Sequence, residues 1–207
     1  MPYKIHYFAA RGRAEIFRVL LSIAGESWEE TNFTFETWPE AKASGRYLFG
    51  QVPALELEDG TVMVQTPAIV QYLGRKFGLY PEDPLEAYNV DVINASIADV
   101  TEAWVTIIFR TPEDKKAEAM EKFVSGTLNT NLAAWEKILE GGKSFIANDK
   151  LSIADAGVFL ILETFEKISP ESVSKFPNLV RFLEEFKAIP NVAAYLSSDK
   201  RPPPSSS

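Results

Sequence analysis

From residue 28 to residue 35 the side chains alternate, with Thr31, Phe33 and Phe35 on one side, which is the period of a β-strand. Upstream, the apolar run 4–8 predicts a first short strand. Residues 13–24 predict a helix with Ile16, Leu20 and Ile23 on one face and Gly25 where a helix stop belongs. Segments 54–57 and 61–64 flank Asp59-Gly60, a pair that tolerates the positive backbone angles of a tight turn, so they predict a β-hairpin. Thr66 stands as the cap of the next helix, with Pro67 at its first position and Gly78 at its end. Residues 36–53 carry no defined pattern. The order is βαβ, an undefined segment, then ββα.

Residues 79–85, with Pro81 and Pro84, predict a linker. From 86 to about 196 the periodicity is helical, interrupted at Gly141-Gly142. Ser152-Ile153-Ala154-Asp155 forms a capping box, in which serine and aspartate satisfy each other's free backbone amides. Residues 200–207 are basic, then rich in proline and serine, and predict a flexible tail. The fold class is therefore α/β plus all-α: a small βαβ-ββα domain over 1–78 and a larger all-helical domain over 86–199.

Composition narrows the chemistry. Hydrophobic residues make up 46% and charged residues 24%, as in soluble globular proteins. A net charge of -8 argues against nucleic acid or an anionic membrane as partner. No signal peptide and no apolar run of membrane length is read, so a cytoplasmic location is expected. With no cysteine and one histidine, His6, disulfides, thiolate metal sites and cysteine nucleophiles are absent. No metal is expected: Asp91 and Asp99 share the first long helix, but Ala95 and Ala98 thin the face that would hold a hard cation. Proton chemistry falls mainly to Tyr, Ser, Thr, Lys, Arg and the carboxylates. Taken alone, Tyr7 on a short apolar strand reads as a core tyrosine.

Several motifs occur in a fixed order: Tyr7 ending the first strand, Arg-Gly-Arg-Ala-Glu over 11–15, and Trp-Pro-Glu-Ala-Lys over 38–42. Gly-Gln-Val-Pro over 50–53, Gln65-Thr66, the capping box and Ala-Ile-Pro-Asn-Val over 188–192 follow. Together they make the whole chain resemble a cytosolic glutathione S-transferase, most like the sigma class and next the pi class. The resemblance implies a thioredoxin-like N-terminal domain, reduced glutathione as co-substrate and a homodimer. Tyr7 would hydrogen-bond the glutathione sulfur and Arg13 would be the cation beside it. Trp38 and Lys42, with Gln51 nearby, would hold the glycine carboxylate. Val52, before a cis Pro53, would pair with the peptide backbone, and Gln65 and Thr66 would take the γ-glutamyl end. Asp99 would reach the other subunit's glutathione; its bland reading is a solvated helix carboxylate. Phe49 reads either as an aromatic plug into the partner or as a plain core phenylalanine. The family usually has serine where this chain has Thr66; hydroxyl and amide are kept, so binding is expected to survive.

A free thiol titrates near about 8.5, so only a few per cent is thiolate at neutral pH. A hydroxyl donated to the sulfur favours the charged form. A fall of roughly two units corresponds to about 2.7 kcal/mol, within reach of one charge-assisted hydrogen bond and a cation. The electrophile's site is expected between the two domains, at Phe8, Ala10, Trp104, Ile107 and Ile108, each of which also reads as ordinary packing. The activity implied is conjugation of glutathione to hydrophobic electrophiles. Alternatives are glutathione-dependent isomerisation of a prostaglandin endoperoxide, and a non-catalytic role like that of the lens crystallins that resemble sigma transferases.

Overall fold

Strand β1 (Tyr3–Phe8) leads into a single 3-10 turn (Gly12–Ala14) and helix α1 (Glu15–Ala24), which ends where Gly25 adopts φ 73°. Strand β2 (Trp28–Phe33) returns parallel to β1, pairing Tyr7 with Asn32. The computed structural model describes residues 2–204. Helix α2 (Trp38–Ala43) occupies the segment whose pattern was undefined, because six residues with Pro39 in the first turn are too few to show a helical period. The hairpin follows as β3 (Ala54–Glu56) and β4 (Val62–Val64), closed by Leu57 and Thr61, with Gly60 at φ 84° and Asp59 accepting from the Thr61 amide. The sheet order is β2-β1-β3-β4, with β3 antiparallel to both neighbours. Helix α3 (Thr66–Lys76) packs beside α1.

The helical unit holds α4 (Pro84–Arg110), α5 (Glu113–Phe123), a wider π turn (Val124–Leu128), α6 (Asn129–Ile138), α7 (Ile153–Ile168), α8 (Pro170–Ser174) and α9 (Pro177–Lys187). Helix α7 is its axis, burying Ala154, Gly157, Val158, Phe159, Leu162 and Phe165. Its capping box forms as expected: buried Asp155 accepts from the amides of Ser152 and Ile146 and from the Ser152 hydroxyl. Helix α4 is, by length and composition alone, apolar enough to cross a membrane, contrary to the expectation that no segment reaches that measure. Glu86, Asp91, Asp99 and Glu102 lie along it, and it packs on α5 and α7.

Three further expectations are corrected. Strand β2 stops at Phe33, and Phe35 is 89% exposed, because the Thr34 and Thr37 hydroxyls bond local amides and turn the chain into α2. On α1 the fully buried positions are Phe17, Arg18, Val19, Leu20 and Leu21, whereas Ile16 and Ile23 are half-buried. The helix is covered on more than one side, since α10 (Pro190–Leu196) packs on it as well as α3, and a single stripe is the wrong expectation for such a helix.

The third concerns the end of the chain. Contacts divide the molecule into Tyr80–Ala188 and a unit joining the chain up to Leu79 with the segment from Ile189 onward. Residues predicted to close the helical domain thus belong to the N-terminal unit. Nor is the beginning of the predicted tail loose: the Arg201 Nε donates to Glu15 Oε1 at 2.8 Å, and the carbonyls of Pro202 and Pro203 accept from Arg11. Residues 205–207 of that tail lie outside the described residues.

Within the sheet, His6 is buried between Tyr47 and Glu56. Its Nε2 donates to Glu56 Oε2 at 2.9 Å and its Nδ1 accepts from the Tyr47 hydroxyl at 3.2 Å, the tautomer that satisfies both contacts. Burial pushes the His6 pKa below its usual 6.5, against the pull of Glu56. Burial pulls Glu56 upward, but the His6 hydrogen bond and Arg46 outweigh it and hold the carboxyl below its usual 4.5. The unfolded chain therefore takes up a proton near 6.5 that the folded chain refuses until lower pH, so acid costs stability through that window. Glu56 adds a second loss further down. We expect the urea midpoint to fall between about pH 7 and about pH 5, and His6→Gln to flatten that slope. Equal slopes in the two proteins would remove His6 as its source.

Candidate active site

Tyr7 lies near the end of β1 and is half-buried, its ring edge-to-face against Phe8. The turn that follows brings the Arg13 backbone amide to 3.3 Å from the Tyr7 hydroxyl oxygen. Since that oxygen accepts, the phenolic proton is left to be donated elsewhere. Gly12 makes this approach possible. It adopts φ 41°, and a Cβ built on it would fall 2.6 Å from Tyr7 Oη and 2.9 Å from the ring. Residue 13 thus meets Tyr7 through its peptide group, and the Arg13 side chain is exposed.

Around Tyr7 the remaining candidates of this unit are linked in pairs. Trp38, at the start of α2, packs on Phe8 and Phe33 with ring centroids 6.3 and 5.2 Å apart. Lys42, one turn on, is exposed, and its stem lies against Gly50, whose φ of 58° opens the next loop. In that loop the Val52-Pro53 bond is cis, as the resemblance implies. The β1–β3 ladder ends where His6 pairs with Ala54, so Tyr7 and Pro53 are the next residues of the two chain segments beyond it. The Gln65 side-chain amide donates to Gln51 Oε1 at 3.2 Å. Tyr7, Trp38, Lys42, Gln51, Val52, Pro53 and Gln65 all belong to the N-terminal unit, with Arg13, Thr66, Phe8 and Ala10.

One prediction shifts by a residue. Thr66 is the first residue of α3, and Gln65, at φ 72° and ψ 107°, is the residue before it. Gln65 is the only non-glycine with positive φ among the described residues. Helical bonding starts with the Ile69 amide on the Gln65 carbonyl, and Pro67 has no amide, so the Thr66 amide and hydroxyl stand at the positive end of an 11-residue helix. Such an angle is strained for a residue that carries a Cβ.

The other candidates lie in the helical unit, all on α4. Asp99 is exposed. Trp104 packs edge-to-face on Phe165 at 5.2 Å, Ile107 is buried at 6% exposure, and Ile108 is half-buried. Phe49 is 59% exposed, which overturns its reading as a core residue. A concavity of about 440 Å³ floored by His6, Tyr47 and Glu56 excludes Tyr7, and those three polar groups already pair with one another. Among the described residues no three His, Asp or Glu side chains gather as a metal site.

Sequence reasoning missed Arg18 and Glu15, the two buried charges next to this site. Arg18, with no exposed surface, donates to both Glu30 oxygens, to Glu15, and to the carbonyls of Ala10 and Arg11. The available signal was a charged residue amid the apolar run 16–21 of a helix.

Residues 3–75 match the family model for the glutathione S-transferase N-terminal domain, and residues 98–199 match the C-terminal one. Glutathione S-transferase P of Homo sapiens is 34% identical over 200 residues, covering 95% of this chain and 92% of that protein. Glutathione S-transferase A4 of Mus musculus is 34% identical over 205 residues, covering 97% and 91%. The solved structure of prostaglandin synthase D of Nilaparvata lugens overlays with a TM-score of 0.87 at 26% identity, covering 99% of this chain and all of that one.

Replacing Gln65 by glycine removes the strain of a side chain at positive φ, about 1–3 kcal/mol, and adds about 0.5–1 kcal/mol of unfolded-state freedom. We expect Gln65→Gly to raise stability by about 1 kcal/mol in denaturant melts. A loss of stability would show that the conformation is held by contacts rather than against them.

Proposed function

Because the chain belongs to the glutathione S-transferase family, we propose that Tyr7 donates a hydrogen bond from its hydroxyl to the sulfur of bound glutathione, so that the thiol loses its proton to solvent and is held as thiolate for attack on a hydrophobic electrophile. The observation that carries this reading is the Arg13 amide on the Tyr7 oxygen. A hydroxyl whose oxygen already accepts an N–H is oriented, and its proton points away from that donor. One such hydrogen bond to sulfur acts through the hydrogen-bonding route to a lowered pKa. The thiolate forms the new carbon–sulfur bond, and the electrophile either takes up a proton after addition or releases its leaving group with the electron pair.

Glutathione's two carboxylates need separate partners. The γ-glutamyl end is assigned to Thr66 and Gln65, where a helix N-terminus offers amide, hydroxyl and dipole together. Threonine in place of serine keeps both donors. The glycine carboxylate is assigned to Lys42 and Trp38, with Gln51 adjacent, and the Val52 backbone to the peptide between them. The likeness to a prostaglandin synthase is consistent with one narrower reading, in which an endoperoxide is isomerised rather than an electrophile conjugated.

The same proposal includes a cytoplasmic homodimer. Helix α4 exposes Leu85, Tyr88 and Val92 at helical spacing, and the 47–50 loop exposes Leu48 and Phe49. These are the apolar side chains an isologous interface would cover, with Asp99 further along α4 offered to the partner's glutathione.

Tyr7→Phe keeps the ring and removes the donor. Turnover of a chloronitrobenzene substrate at neutral pH should fall roughly 25-fold, the change in thiolate fraction at about pH 7 when about two pKa units are lost, while retention on immobilised glutathione persists. Equal turnover would sink the mechanism. By sedimentation equilibrium the wild-type chain should run as a dimer, and Tyr88→Asp should shift it to monomer; a monomeric wild type refutes the interface.

A further inference from the structure

The turn that serves Tyr7 is anchored from a place almost two hundred residues away. Its anchors are the Pro202 carbonyl, which accepts from Arg11 Nε at 2.9 Å, and the Pro203 carbonyl, which accepts from the Arg11 amide at 3.3 Å. Three residues after that turn begins its 3-10 geometry, at the head of α1, Glu15 is 3% exposed and receives three donors. These are Arg201 Nε at 2.8 Å on one oxygen, and the Tyr195 hydroxyl at 3.0 Å with Arg18 Nη1 at 3.2 Å on the other. Two of the three come from the C-terminal segment. Arg201, itself only 7% exposed at its side chain, stacks over the Tyr195 ring.

We propose that residues 201–203 form a strap that fixes the 11–13 turn, and that Arg201 is a positioning residue for the Tyr7 hydroxyl. Gly12 is exposed and at positive φ, so its own backbone preference is weak. The outer side of the turn is tied by Arg11 to the two proline carbonyls, and its base is tied by Arg18 to the carbonyls of Ala10 and Arg11. Arg18 shares Glu15 with Arg201, so the two ties meet on one buried carboxylate. With Gly12 lying within van der Waals reach of the Tyr7 ring, a small shift of the turn moves the Arg13 amide off the hydroxyl oxygen. A misplacement of that size affects a hydrogen bond to sulfur more than it affects binding of a tripeptide held at both carboxylates. Pro202 and Pro203 suit the role, because they present carbonyls on a backbone with few alternatives to lose.

The inference rests on the reading of Tyr7 given above, and the test separates the two. Wild type, Tyr7→Phe, Arg201→Ala and a chain ending at Arg201 are compared, with folding checked by thermal melts. The ultraviolet thiolate absorbance of bound glutathione and kcat/KM are followed against pH, and amide exchange of residues 9–16 is followed without ligand. Both strap variants should raise the apparent thiol pKa by about one unit and lower kcat/KM about tenfold at acidic pH, converging with wild type at alkaline pH. Their KM for glutathione should stay within about twofold of wild type, with faster exchange at 9–16. If Arg201→Ala fails to fold, the shortened chain, which keeps the ion pair with Glu15, decides. Folded variants whose pH profiles superimpose on that of an active wild type overturn the strap and leave Tyr7 untouched. A wild type with no thiolate signal, matching Tyr7→Phe, overturns the Tyr7 reading and the strap's catalytic role with it.

Discussion

A guanidinium with no exposed surface sets terms for everything around it. Arg18 cannot be neutralised, and burial opposes its charge. The hydrogen bonds and charges of Glu30 and Glu15 outweigh that cost, so both carboxylates must be where they are. Glu30 ties it to β2, whose Trp28 indole also donates to the same carboxylate, and Glu15 ties it to the head of α1. The remaining N–H bonds fall on the carbonyls of Ala10 and Arg11, which gives the turn after β1 its fixed base. Removing one partner from such a cluster costs about 3–5 kcal/mol, because the others are left buried and unpaired. The turn that carries the Arg13 amide to Tyr7 is therefore held through the same bonds that satisfy a buried charge.

Where local chemistry decides structure, the sequence was readable. Asp59-Gly60 makes the hairpin, Gly25 ends α1, and the Ser152–Asp155 box opens α7. Elements fixed by packing were not. The buried face of α1 was misjudged because α10 covers a side that the apolar stripe leaves out. Strand β2 was carried two residues too far, since alternation continues through Phe35 after the threonine turn has begun. The C-terminal residues read as a frayed tail because proline, serine and arginine carry no hydrophobic pattern; their partners are backbone carbonyls and a buried carboxylate.

For the site, the sequence names residue types and not their contacts. Tyr7, Gln51, Gln65 and the cis Val52-Pro53 bond stand together in the N-terminal unit. At residue 13, however, it is a main-chain amide that touches Tyr7, and no side-chain motif announces a main-chain donor. Gln65 was read as a side-chain ligand, whereas its backbone angle is its most unusual property. Positive φ at glutamine arises from what surrounds it, so composition gives no hint of it.

The N-terminal unit is built from both ends of the chain, while the helical unit is one uninterrupted stretch. This order has a consequence for synthesis. As the chain leaves the ribosome, the sheet and α1 emerge first but lack Tyr195 and Arg201, so Glu15 waits without two of its three donors. The helices of 80–188, one uninterrupted stretch, can complete their packing sooner. The usual N-to-C sequence of domain completion is thus inverted, and a nascent chain stalled before residue 189 would present finished helices beside an unfinished sheet domain.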